Sequence, residues 1–108
     1  MRYEYLPGFK QWRFNHDLDL SNVERFLDTE MRDKIAIEDV IQGIRSVENG
    51  AVDRWEYGNA YIAVFSAEHV EAFYVSAENS VDKMGLQAFK DLLKEWASVV
   101  LDERTGSA

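Results

Sequence analysis

Few side chains in this sequence could run chemistry. His16 and His69 are its only histidines, and it has no cysteine. A disulfide framework, a thiolate metal site and a thiol nucleophile are therefore excluded. His69 stands between Glu68 and Val70, at an expected strand turn where an exposed polar histidine needs no catalytic role. His16 precedes Asp17 and Asp19, a spacing like a fragment of a metal-binding loop, but the further oxygen ligands and the glycine that a calcium loop sets at fixed positions are missing. The sequence holds no HExxH, no GxSxG, no Gly-rich phosphate loop and no dinucleotide fingerprint. We therefore expect no catalytic residue, no metal and no cofactor, and read the chain as a non-enzyme.

What the chain has in quantity is carboxylate. Twenty Asp and Glu against 12 Lys and Arg leave a formal charge of −8. Between residues 17 and 39 stand Asp17, Asp19, Glu24, Asp28, Glu30, Asp33, Glu38 and Asp39 against Arg25, Arg32 and Lys34, a local balance of −5. Such a run can steer a basic partner and speed encounter. It also fits an ordinary solvated helix exterior, and Asp33 and Asp39, near expected helix starts, complement a helix dipole. Nucleic acid and anionic membrane are disfavoured as direct partners, since both reward clustered Lys and Arg. A second candidate surface is aromatic: Trp12, Trp55, Tyr57, Tyr61 and Tyr74 exceed what one small core encloses, and Trp and Tyr are the usual interface anchors.

These residues have to be positioned by one domain covering residues 1–108, because 108 residues build one hydrophobic core and not two. No run of about 20 uncharged residues and no secretion signal is present, so a cytoplasmic protein is expected. The segments 2–6 and 9–14 alternate polar and aromatic residues around Pro7-Gly8, the pattern of a hairpin in which Tyr3, Tyr5, Trp12 and Phe14 share a face. Proline at the turn predicts a connection wider than the tightest hairpin type.

Ser21 with Glu24 three residues on has the form of a capping box. Val23, Phe26, Leu27 and Met31 then predict a helix to about residue 32. Ile37, Val40, Ile41, Ile44 and Val47 predict a second helix that ends at Asn49-Gly50, with Gly43 marking close approach of a neighbouring element. Strands are expected at 52–57, 60–66 and 70–76 as an antiparallel meander. The middle one is apolar on both faces; helices can cover one side, and the other needs the N-terminal aromatics or a partner. A polar loop over 77–83 leads to a last helix over 85–101, whose stripe of Leu86, Phe89, Leu93, Trp96 and Val100 seals the core, with Trp96 assigned to packing. The tail 102–108 is expected to fray. The fold class is thus α+β: an antiparallel meander sheet with an N-terminal hairpin and about three helices, packed mainly on one face.

The order of an aromatic hairpin, an acidic helical stretch, the apolar helix from Ile37 to Asn49-Gly50, then Trp55, Tyr57, Gly58 and Tyr61, then a closing helix with Leu86, Phe89, Leu93 and Trp96 resembles small bacterial immunity proteins of contact-dependent growth inhibition and related polymorphic toxin systems. The resemblance implies a protein that binds a cognate toxin domain, often a nuclease, and blocks its active site inside the producing cell. A nuclease presents a basic cleft to phosphates, and an acidic protein can fill it. On that reading Asp17, Asp19, Glu24 and Asp28 supply the charge, and Trp55 and Tyr57 the anchors. The rival is a housekeeping adaptor or regulator that binds a basic nucleic-acid-processing protein as a phosphate mimic.

Overall fold

The expected 3.6-residue stripes form helices with little adjustment. The structure, a computed structural model, describes residues 3–6, 8, 11–14 and 21–101. In chain order the elements are β1 (Tyr3–Leu6), β2 (Gln11–Phe14), α1 (Ser21–Glu30), α2 (Lys34–Glu48), β3 (Trp55–Gly58), β4 (Tyr61–Phe65), β5 (His69–Tyr74), β6 (Ala77–Gly85) and α3 (Leu86–Val100). Asp33 separates the first two helices. It is the N-cap of α2 and its carboxylate accepts from the Ala36 amide at 2.8 Å, which satisfies one of the amides a helix start leaves free. At the other end of α2 the Asn49 amide donates to the Arg45 carbonyl and Gly50 takes φ +80°, the left-handed stop that the Asn-Gly pair predicts.

β1 and β2 pair antiparallel, with Tyr3 opposite Phe14, Tyr5 opposite Trp12 and Leu6 opposite Gln11. The last pair leaves a connection longer than two residues, as a proline at the turn requires. The other four strands form an antiparallel meander in the order β3-β4-β5-β6. The segment expected as a polar loop over 77–83 is in fact most of β6. Its strand period is broken because Phe73 pairs with Val81 while Tyr74 pairs with Ala77, so Glu78, Asn79 and Ser80 bulge out of register and hide the alternation. Asp82 is polar for a tertiary reason: its carboxylate accepts from the Asn22 amide at 2.6 Å, and the Asn22 side chain donates to the Ser80 carbonyl at 2.7 Å. The edge strand of the sheet thereby holds the start of α1.

All three helices contact the sheet, α2 over β3 and β4, α1 over β4, β5 and β6, and α3 over β5 and β6. Between helices and sheet lie Phe26, Phe65, Phe89 and Trp96, each fully buried; Phe65 meets Phe89 edge-on at 5.3 Å, a favoured ring geometry. The Trp96 indole donates to the Met31 carbonyl at 2.8 Å, which answers a carbonyl left over at the end of α1. Strand β2 contacts α1 and α3. Among the described residues no helix is long and apolar enough to cross a membrane.

Candidate interaction surface

The most constrained surface feature lies where α1 ends, α2 begins and β3 turns into β4. Glu30 is the last residue of α1, a position where a carboxylate opposes the helix dipole. Its carboxylate accepts three amides of the β3–β4 turn: Asn59 at 3.0 Å, Ala60 at 3.0 Å and Tyr61 at 3.1 Å. Charge-assisted bonds of that kind outweigh a surface dipole penalty of a few tenths to about 1 kcal/mol. The turn itself requires glycine. Gly58 has φ +129°, and a Cβ there would stand 2.0 Å from the Tyr61 carbonyl oxygen.

Tyr57 borders this turn on the helix-facing side of β3. Burial pushes its hydroxyl above the ordinary phenol value, and the carboxylates of Asp39, Asp33 and Glu30 push in the same direction. Those acids come from the end of α1 and the first two turns of α2, and the fold gathers them on one corner. Beside them opens a cleft of about 510 Å³ lined by Glu30, Glu56, Tyr57, Gly58, Asn59 and Ile62. Glu56 of the lining pairs with Arg54 at 3.7 Å, and on α2 Lys34 pairs with Glu38 at 3.8 Å, with all four side chains more than half exposed. Pairs so exposed hold little energy and yield readily to a competing charge.

Trp55 has a different occupation. Its ring stacks on Tyr57 at 5.5 Å and meets Phe65 at 5.7 Å, and it fills the space above Gly43, where a Cβ would stand 2.2 Å from the ring. The close approach expected at Gly43 is this tryptophan. Of the two aromatic anchors read from the sequence, Trp55 is half-buried against α2 and the core, while Tyr57 borders the cleft.

The charged candidates are dispersed. Asp17 and Asp19, with His16, lie outside the described residues. Glu24 needs correction: it is 1% exposed, so its carboxylate is not displayed to a partner. Asp28 is half-buried, with its Oδ2 atom buried, and both acids are engaged within the protein. The physical reason is that α1 runs between the sheet on one side and β2 on the other, so the flank a surface helix would give to water is enclosed. Asp33, Glu38, Asp39 and Glu56 are exposed and Glu30 is half-buried; of these, Asp39, Asp33 and Glu30 act together on Tyr57. Glu30 carried one signal in the sequence, an acid in a last helical turn that has no base. Nothing local marked Glu56 or Ile62.

Chemically, the corner can hold positive charge. His69 starts β5, where its amide donates to the Ser66 hydroxyl at 3.3 Å and its carbonyl accepts the Ser66 amide at 2.9 Å, a strand-turn role. Among the described residues no three His, Cys, Asp or Glu side chains converge as a metal site. Comparison with protein-family models, with curated proteins and with solved structures returned no match to this chain.

Proposed function

We propose that this protein is an inhibitor of the immunity type, which binds a basic toxin domain, such as a nuclease, through its acidic corner and so keeps the toxin from its substrate. The observation that supports the reading is the gathering of Asp33, Asp39 and Glu30 around Tyr57, beside a cleft that also carries Glu56. A cluster of one sign against a low-dielectric wall focuses the field and raises the encounter rate with a basic partner. Tyr57 and Ile62 supply apolar surface within the same cleft, the combination of charged rim and desolvated centre from which inhibitor interfaces derive affinity.

Capture from host lysate tests this, using the intact chain beside the Glu38→Lys/Asp39→Lys variant. The expected result is one dominant basic protein with a toxin activity that the captured complex lacks, released as salt rises from about 0.05 M to about 0.5 M and at least tenfold depleted on the variant. An acidic dominant ligand, or equal capture by the variant, would overturn the proposal.

A further inference from the structure

We infer that the cleft between α2 and α3 is a binding site for a medium-chain aliphatic carboxylate. The cleft measures about 370 Å³, within the roughly 300–1,000 Å³ range of small-molecule pockets. Its apolar lining comes from one stripe on each helix: Ile37, Ile41 and Ile44 of α2, with Leu93 and Ala97 of α3. No residue of the acidic corner lines it, so this inference and the proposed function fail separately.

Charge selects the head group. The cleft is also lined by Arg45, Lys90, Lys94 and Glu48, a local balance of +2 on a chain of −8. Lys90 and Glu48 satisfy each other at 2.7 Å, and their pair bridges the two helices at one end of the cleft. Among the described residues Arg45 and Lys94 enter no ion pair. One from each helix, they leave two positive charges beside an apolar floor, which suits an anionic head and excludes a cationic one. A carboxylate matches the planar guanidinium of Arg45 in a bidentate bond, with Lys94 acting as a point charge.

The tail has one direction open to it. Glu48 repels a carboxylate at the bridged end, so the chain runs from Arg45 the other way, past Ile41 to Ile37. Over those residues α2 rises about 12 Å, at roughly 1.5 Å per residue. An extended chain of about ten carbons has that length, at ~1.25 Å per carbon. Ile37, Ile44 and Leu93 are each at most 3% exposed, so the floor is packed before a ligand arrives and costs little to order.

Isothermal titration of the full chain with sodium decanoate tests the inference. The expected result is saturable binding at one site per chain, with Kd on the order of 10–100 µM. Octanoate, shorter by two methylenes, should bind about tenfold more weakly. Decanol should also lose about tenfold, for want of the charge-assisted bond, and decylamine should not bind. Ile41→Trp, which fills the cleft, and Arg45→Gln/Lys94→Gln should each weaken decanoate about tenfold or more, while Glu38→Lys/Asp39→Lys binds it as the parent does. Circular dichroism checks folding; Arg45 and Lys94 are both exposed, so their variant decides the matter even where Ile41→Trp disturbs the fold. No saturable binding, decanol as tight as decanoate, or an unchanged Kd in the folded glutamine variant would refute the proposal. An acidic amphipathic helical peptide that binds the cleft where decanoate does not would also refute it, and would assign the cleft to a protein partner.

Discussion

Glu30 is the residue on which the corner depends. Its carboxylate ends a helix at the unfavourable pole, yet it closes three backbone amides of the turn that shapes the cleft. Removing it should leave amides of a half-buried turn without acceptors. Glu30→Ala is expected to destabilise the fold by about 2 kcal/mol, with Glu30→Gln in between because one acceptor oxygen survives. Urea denaturation measures this, and an unchanged midpoint for the alanine variant would show that the clamp is dispensable.

Tyr57 gives a second test at the same scale. Burial first, then Asp39, Asp33 and Glu30, raise its hydroxyl above the ordinary value. The folded protein therefore binds that proton more tightly than the unfolded chain does. The associated stability is fully present below the ordinary phenol value and is lost as pH rises through the folded one. Absorbance at the phenolate band should show one tyrosine titrating late, absent in Tyr57→Phe and shifted back toward the ordinary value in Asp39→Asn. A late titration that survives Tyr57→Phe would assign it elsewhere.

At the scale of elements, contact between α2 and β3 is set by one missing side chain. In an isolated helix alanine is better than glycine by about 1 kcal/mol. At Gly43 the order should reverse, since the added Cβ would stand 2.2 Å from the Trp55 ring and a half-buried indole held against Tyr57 and Phe65 cannot retreat cheaply. Gly43→Ala is expected to cost about 1–3 kcal/mol net. The double variant Gly43→Ala/Trp55→Leu should be less destabilised than the sum of its single changes, because the second substitution vacates the space the first needs. Additive losses in urea would mean that the tryptophan is not the obstacle. The same scale explains α1, whose two flanks are enclosed by the sheet and by β2.

For the whole molecule, charge is unevenly spread. A net −8 on a domain this small is a source of self-repulsion as well as of steering. Glu38→Lys/Asp39→Lys, where each reversal adds two units, moves the formal charge from −8 to −4. It removes only an exposed Lys34–Glu38 pair at 3.8 Å, worth little in water. Its urea midpoint should match or exceed the parent's. A large fall would mean that loss of capture reported folding and not contact.

Local rules determined the elements because each rests on side chains close in sequence. The stripes of α1, α2 and α3, the Asn49-Gly50 stop, the short turns of the meander and the burial of Trp96 all follow from periodicity and turn chemistry, and so does the α+β class. Tertiary structure alone decided where Glu24 and Glu56 ended up, because burial of a helix flank depends on what packs from elsewhere in the chain. It also decided β6, whose bulge breaks the strand period, and whose Asp82 is explained only by an amide at Asn22, 60 positions away. The acidic corner belongs to the same group. Composition places the acids in one stretch, but their convergence on Tyr57 needs β3 to lie beside α2, and no spacing within a single element encodes that contact.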